Sequence, residues 1–296
     1  IKLNLFIPYG ADLFYFTSYN LTYPQYIIPL WFSVYYQRKG IKKVDLWNMK
    51  EEIIKYENKW RRFRGNSKRV YLSQPFIYLN EYKDKIIDSY FKDSEEQNKL
   101  NIIKKNNDLI LLSHGRHYIS KSKNDPNNKG TDILIEGINL FVSKNPEAKI
   151  KLITFEYGPH FNKIKKLIKY YQLEKYVIIF PMTNRKKLAL FIKTADLVCG
   201  QFGNNSNFIN GVSTEALAFS KPLMTYRNDS IHNKTYDRLF DIINVNSAEE
   251  IAQSIKFYID NKAKLLKLGE SGFLWYKKNI ISKFLNYYLN YFKNLK

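Results

Sequence analysis

With 296 residues, 45% of them apolar, the chain can bury the core of one large domain or of two ordinary ones, and two is our working number. The single cysteine, Cys199, excludes an internal disulfide and a multi-cysteine zinc site. The formal charge of +21, from 48 Lys and Arg against 27 Asp and Glu, favours a polyanionic partner, although the abundance of Lys, Asn, Ile and Tyr typical of A+T-rich coding explains part of it.

The first 80 residues are predicted to alternate strands with helices, the pattern of a parallel α/β sheet. We interpret residues 1–80 as part of an N-terminal Rossmann-like domain and the polar residues 81–107 as a connector. The predicted strands are 2–7, 43–47 and 70–72, and the predicted helices are 24–39 and 49–60.

Residues 108–271 carry a second, more regular alternation, which predicts a doubly wound, Rossmann-like domain even though G-x-G-x-x-G is absent. The predicted strands are 109–113, 150–155, 177–180, 197–199, 223–226 and 242–244, and the predicted helices are 131–143, 162–171, 185–194, 213–219, 248–260 and 263–267. Such sheets bind ligands at the carboxyl ends of their strands. The loops that matter are therefore 114–130, 156–160, 181–185 and 200–215.

The first motif is a strand that ends in Gly115 and Arg116, followed after a lysine- and asparagine-rich loop by Lys129, which opens the next helix. A diphosphate at this junction would meet two fixed cations and the positive end of a helix. Such cations can stabilise charge on a leaving phosphate without a metal. Each residue alone is more often a solvated surface group, but the pair at this junction favours function.

The second motif opens a helix with Gly211, followed by Ser213 or Thr214 as a predicted cap and by Glu215 in the first turn. Gly211 lets backbone approach a ligand, and the Glu215 carboxylate can accept two hydroxyls of a ribose. A glutamate favoured only by the helix dipole is about an even alternative when the helix is considered alone.

Residues 109–226 resemble the donor domain of the GT-B glycosyltransferases known as glycosyl transferases group 1, a retaining, family-4-like group. The matching residues are Gly115-Arg116, Lys129-Gly130-x-Asp132-x-Leu134-Ile135, Phe155-Glu156-Tyr157-Gly158-Pro159, Ala195-Asp196-Leu197-Val198 and Glu215-Ala216-Leu217-Ala218-x-x-Lys221-Pro222. The resemblance implies a GT-B fold with two Rossmann-like domains. It also implies retaining transfer of a sugar from a nucleoside-diphosphate sugar to a hydroxyl acceptor.

The resemblance also implies residue roles. Arg116 and Lys129 would bind the donor pyrophosphate, Glu215 would hold the ribose, and backbone in the loop Pro181-Met182-Thr183 would receive the base. The other donor-binding residues would be Gly115, Gly158, Asn207, Gly211, Val212, Ser213 and Thr214.

The chain departs from the family pattern at Asn207, which takes the place of the first glutamate of E-x7-E, so a carboxylate role is lost there. No histidine precedes His114, although family members often have one in the acceptor domain. The opening strands of that domain are expected upstream of Ile1. The last segment, 272–296, resembles the helix that crosses back to the N-terminal domain in this architecture.

We predict no protein-held metal and no cofactor, because the four histidines are scattered and form no metal motif. No charge-free apolar run reaches the roughly 18 residues of a membrane span. We expect a cytoplasmic protein that could also bind the inner face of a membrane. The segment from Lys59 to Arg69, with six basic residues and no acid, could dock on anionic lipid, or it could be a solvated helix end.

The expected acceptor is a glycan or a lipid-linked sugar of a cell-surface polysaccharide. Three alternatives stay open: a sugar-nucleotide epimerase of the same fold, a nucleic-acid-binding protein, and a non-catalytic GT-B remnant. The nucleic-acid-binding alternative is disfavoured because the basic residues are spread along the chain and no nucleic-acid motif occurs. Asn207 is the residue that suggests the remnant.

Overall fold

The computed structural model divides the chain into two compact units, one of residues 1–75 with 279–296 and one of residues 76–278. The structure describes residues 5–6, 39, 43, 46–49, 68–72, 75, 77–120, 125, 128–203, 209–232 and 237–294. The predicted helix 24–39 lies outside this part of the chain except for Lys39. The predicted helix 49–60 lies outside it except for Met49, which is the last residue of a strand.

Nine strands occur in the described residues. They are β1 (Leu5–Phe6), β2 (Leu46–Met49), β3 (Lys68–Tyr71), β4 (Leu109–Ser113), β5 (Ile150–Phe155), β6 (Val177–Phe180), β7 (Leu197–Cys199), β8 (Leu223–Thr225) and β9 (Ile243–Asn244).

Ten α-helices lie between and after these strands in the same part of the chain. They are α1 (Asp84–Phe91), α2 (Glu95–Asn106), α3 (Thr131–Lys144), α4 (Phe161–Tyr170), α5 (Arg185–Thr194), α6 (Gly211–Ala218), α7 (Asp229–His232), α8 (Ala248–Asp260), α9 (Lys262–Tyr276) and α10 (Lys283–Lys293). A short 3-10 helix (Leu79–Tyr82) precedes α1, and a π-helical segment (Lys277–Ser282) joins α9 to α10.

The smaller unit contains a parallel sheet in the order β1-β2-β3. Two of its strands are shifted from their predicted positions, since β2 begins at Leu46 and β3 begins at Lys68. The last helix, α10, packs its buried Tyr288 against buried Val70 of β3. Strand β3 and helix α10 therefore share one small core.

The larger unit contains six parallel strands in the order β6-β5-β4-β7-β8-β9. Helices cover both faces, so the central strand β4 is a continuous apolar run that is buried along all five residues. This arrangement confirms the predicted α/β fold with a doubly wound sheet. The chain leaves β4 toward β5 on one side and enters β7 on the other, which makes the gap between β4 and β7 the topological switch point.

The segment interpreted as a connector forms α1 and α2, and both belong to the larger unit. Ser94 caps α2 by accepting a hydrogen bond from the Gln97 backbone N–H at 3.2 Å. Ion pairs link the two helices to α5, with Lys187 bonded to Glu96 and Lys193 bonded to Asp88. The polar composition of this segment thus reflects surface helices of the domain.

Lys221 lies just before β8, at the amino ends of the strands, whereas the switch point opens at their carboxyl ends. Its amine donates to the carbonyls of Lys193 and Ala195 at 2.7 and 2.8 Å, and burial lowers its pKa to about 8. An unfolded lysine titrates near 10.4, so between these values the unfolded chain binds more protons and stability rises with pH.

The change Lys221→Met removes this titration. Between pH 8 and pH 10, the unfolding free energy of the parent chain should rise by about 2 kcal/mol relative to that of the methionine variant. This figure allows for the amine's partial access to water. Urea unfolding at the two pH values measures the gain. Parallel pH profiles for the two proteins would contradict the assignment.

Candidate functional site

Two loop segments meet at the switch point, residues 114–120 and 128–130 after β4 and residues 200–203 after β7. Parallel strands present their carboxyl ends at the same edge of the sheet, and diverging loops leave a crevice there. The backbone N–H of Phe202 donates to the carbonyl of Lys129 at 3.0 Å, and the Lys129 N–H donates to Tyr118 at 2.9 Å. These hydrogen bonds hold Lys129 at the crevice.

The Lys129 amine lies between the two loops. Its Nζ donates to Oε1 of Gln201 at 2.9 Å. Burial lowers the pKa of this amine, and the nearby positive charge of Arg116 lowers it further. In the part of the chain that the structure describes, no carboxylate forms an ion pair with Lys129. Two like charges held close together in this way favour an anionic ligand.

Arg116 contributes the second cation from the loop after β4. Its side chain is exposed, and the guanidinium carbon lies 5.9 Å from the centre of the Tyr118 ring. The structure therefore brings together the two cations that the sequence assigns to a diphosphate, one half-buried and one facing solvent.

Gly130 sets the path of the chain from Lys129 into α3. Its φ of +60° is in the left-handed region, and a Cβ there would lie 2.8 Å from backbone atoms of Phe202 and Gly203. Only glycine meets both conditions without strain. The close approach fixes the start of α3 against the loop after β7.

The helix α6 begins at Gly211, two residues earlier than predicted, and the predicted cap is wrong. Asn210 is the cap, because its Oδ1 accepts hydrogen bonds from the N–H of Ser213 at 3.0 Å and from its hydroxyl at 3.2 Å. Ser213 and Thr214 are both buried. Gly211 has open space where a Cβ would be, and a Cβ on Gly115 would lie 3.6 Å from Val212.

Glu215 is the fifth residue of α6, past the first turn in which it was predicted because the helix begins earlier, and it is only 8% exposed. Its Oε2 is 2.8 Å from Nε2 of His114, the residue that follows β4. Its Oε1 is 3.9 Å from Nε of Arg185. The carboxylate predicted to hold a ribose thus lies beside the end of β4 and near the start of α5.

The loop predicted to receive the base, Pro181-Met182-Thr183, precedes α5. Met182 is 67% exposed, and Arg185 begins the helix one residue after the cap Asn184. Because Arg185 reaches toward Glu215, the structure places this loop on the Glu215 side of the crevice.

Gly158 lies in the loop after β5, where it packs against the backbone of His117. Its φ is +110°, and a Cβ would lie 2.4 Å from the His117 nitrogen. The His117 N–H donates to the Tyr157 carbonyl at 2.8 Å, and the buried ring bonds the Phe155 carbonyl at 3.0 Å. Gly158 therefore supports the loop that carries Arg116.

Two predicted features fall outside the described residues: Asn207, and the basic segment as far as residue 67. In the described part of the chain, no three His, Cys, Asp or Glu side chains are grouped so that they could hold a metal ion. None of the helices that the structure describes has both the length and the apolarity needed to span a bilayer.

Three residues near the predicted ligand were not assigned from sequence: His114, Arg185 and Gln201. His114 directly follows β4 and Gln201 lies two residues after β7, and positions just after central strands signal ligand proximity in this topology. Arg185 begins a helix that follows β6. Their side-chain partners lie far away in sequence, which is why local patterns did not identify them.

The doubly wound parallel sheet defines a Rossmann-like α/β protein, and two cations and a carboxylate lie at its switch point. The sequence profile of the family Glycosyl transferases group 1 matches residues 95–275, more than half of the chain. The chain therefore belongs to this family, as its motifs predicted. No curated protein matches the chain in sequence.

Solved structures share this fold. Anabaena HepE in complex with UDP aligns with 12% identity and a TM-score of 0.56, covering 91% of this chain and 68% of that one. Sucrose-phosphate synthase from Thermosynechococcus elongatus aligns with 14% identity and 0.57, covering 98% and 67%. A glycosyltransferase from Rickettsia africae aligns with 14% identity and 0.56, covering 98% and 76%. The chain spans about two thirds of the first two proteins.

Gln201 offers a test of the uncompensated charge on Lys129. The change Gln201→Glu puts a carboxylate beside the amine, where it would form an ion pair and compete with a diphosphate. We expect nucleoside-diphosphate affinity to fall about tenfold while thermal stability holds or rises. Calorimetric titration and thermal melts measure both.

Gln201→Met is the matched neutral control, with a similar length and no charge. It should weaken nucleotide binding less than the glutamate variant does. Equal losses in the two variants would show that the added charge is not the cause.

Proposed function

We propose that this chain transfers a sugar from a nucleoside-diphosphate sugar to a hydroxyl acceptor. The observation that carries the proposal is Lys129, a half-buried amine at the switch point whose pKa is lowered by burial and by Arg116. A bound diphosphate would offset both costs, because it supplies negative charge to two adjacent cations. Membership in the glycosyltransferase family supports the same function.

In the proposed reaction, the bond between the anomeric carbon and the diphosphate oxygen breaks, and the electron pair stays on the diphosphate. Lys129 and Arg116 would stabilise that developing charge. The acceptor oxygen forms the new bond to the anomeric carbon, and its proton passes to an oxygen of the departing diphosphate. Glu215 would orient the ribose, and the loop Pro181-Met182-Thr183 would receive the base.

Several finer features belong to the proposal and follow from the family resemblance. They are retention at the anomeric carbon, chemistry without a metal or cofactor, and a glycan or lipid-linked acceptor from polysaccharide synthesis. We also propose a cytoplasmic location, with Lys59 to Arg69 docking on anionic lipid at the inner membrane face. HepE has been crystallised with UDP and with UDP-glucose, which supports a nucleotide-sugar donor here.

A thermal-shift screen with UDP, GDP, ADP and their sugar conjugates tests the donor. A ligand at about 100 times its Kd should stabilise the chain by about 2.7 kcal/mol. No stabilisation by any of them would contradict the proposal and favour a non-catalytic protein. Titration with oligonucleotides at rising salt tests the nucleic-acid alternative, which requires tight binding that falls steeply with salt.

Product analysis then separates transfer from epimerisation. With the nucleotide sugar that binds and no acceptor, a transferase should leave the sugar configuration unchanged apart from slow hydrolysis. Release of an epimerised nucleotide sugar would favour the epimerase. The anomeric configuration of a transferred sugar, read by NMR, tests retention.

A further inference from the structure

His114 and Glu215 form a buried pair across the switch point. Both residues are 8% exposed, and Nε2 of His114 is 2.8 Å from Oε2 of Glu215. His114 follows β4, whereas Glu215 lies on α6, which follows β7 in the chain. The pair therefore links the two sides of the crevice in which the diphosphate is proposed to bind.

The direction of this hydrogen bond follows from chemistry. An ionised carboxylate has no proton to donate, so Nε2–H of His114 donates to Oε2. A buried carboxylate needs such donors, since burial without them is costly. The bond therefore fixes the tautomer of the imidazole and the orientation of the carboxylate together.

The second oxygen of Glu215 is in a different situation. Nε of Arg185 is 3.9 Å from Oε1, which is too long for a hydrogen bond. In the described part of the chain, no group donates a hydrogen bond to Oε1. One oxygen is thus held by the protein, and the other can accept a hydrogen bond from a ligand.

We propose that His114 is a positioning residue for the nucleoside: it holds Oε2 of Glu215 so that Oε1 accepts a hydrogen bond from a ribose hydroxyl. This inference rests on the proposed function, because it deepens the role of the donor site. Its consequence is selectivity. His114 should affect how strongly the site distinguishes a ribonucleotide from a deoxyribonucleotide, without affecting the grip on the phosphates.

The test compares His114→Gln, which keeps a side-chain N–H donor, with His114→Met, which has a similar length and no donor. The probes are UDP, GDP and ADP, each with its 2′-deoxy and 3′-deoxy form. The wild type should prefer at least one ribonucleotide over a deoxy form by about tenfold, as expected for one hydrogen bond to a charged group. His114→Gln should keep most of this preference, and His114→Met should lose it.

Inorganic pyrophosphate is the control ligand, because it reaches only the cations. Its affinity should be the same in the wild type and in both variants. Unchanged ribose preference in His114→Met, or equal loss in both variants, would overturn the role of His114. If the wild type binds pyrophosphate and no nucleotide, the proposed nucleotide-sugar function fails as well, and this result is distinct from the other two.

A measurement on the wild type covers the case in which His114→Met does not fold. With ¹⁵N-labelled histidine, the Nε2–H signal of His114 should shift when the ribonucleotide binds and should stay in place with pyrophosphate. A signal that ignores the ribonucleotide would overturn the proposal.

Discussion

Replacing Lys129 by alanine is expected to lower turnover of the nucleotide sugar by about 10²- to 10³-fold, the loss typical of one preorganised group that stabilises transition-state charge. The amine is held in place by Gln201 and is partly shielded from water, so its effect on a developing phosphate charge is stronger than that of a surface lysine. Arg116→Ala should act in the same direction with a smaller loss, because its side chain is exposed.

Steady-state kinetics of the purified variants measure this loss, and two further variants make it specific. Lys129→Arg keeps the charge and should recover part of the activity. Lys221→Met also removes a half-buried lysine that donates to neutral oxygens. This lysine lies at the amino ends of the strands, away from the proposed site. Its turnover per folded molecule should match the parent. A near-normal rate in Lys129→Ala would remove the proposed role of Lys129.

The sheet of the larger unit was predictable because each strand is a short apolar run between polar turns, and because both sheet faces are covered by helices. The run Leu109–Ser113 is an example: five buried residues leave no alternation and predict a central parallel strand. The end of β4 and the start of α3 then located Arg116 and Lys129 at one edge.

The partners within the site were not predictable in the same way. His114 and Glu215 are 101 positions apart, and Lys129 and Gln201 are 72 apart, so only the order of strands in the sheet brings them together. Nothing in local composition gives that order. The predicted cap of α6 was wrong for another reason. Several residues there can cap a helix, and which of them does so depends on where the helix starts.

Gly158 was assigned to ligand binding by resemblance, and the structure indicates a second reason for glycine at this position. Its φ of +110° is rarely adopted by residues with a side chain. A Cβ there would also lie 2.4 Å from the nitrogen and 2.6 Å from the oxygen of His117. Both atoms are backbone, so neither can rotate away as the end of a flexible side chain could.

Gly158→Ala is therefore expected to lower the free energy of unfolding by about 3 kcal/mol or more, from backbone strain and steric overlap together. Urea denaturation measures the change. Gly211→Ala is the matched control. Gly211 begins a helix, the position that a Cβ would occupy there is open, and the change should alter stability by about 1 kcal/mol or less.

The effect of Gly158→Ala should reach the cations as well. The loop after β5 is bonded to His117 on both sides, through Tyr157 and His160 at 2.8 and 3.1 Å, and His117 follows Arg116 directly. A shift of this loop would move Arg116, so pyrophosphate affinity should fall in the variant that still folds. Unchanged stability in Gly158→Ala would show that the two loops separate easily, and the support that Gly158 gives to Arg116 would then have to be abandoned.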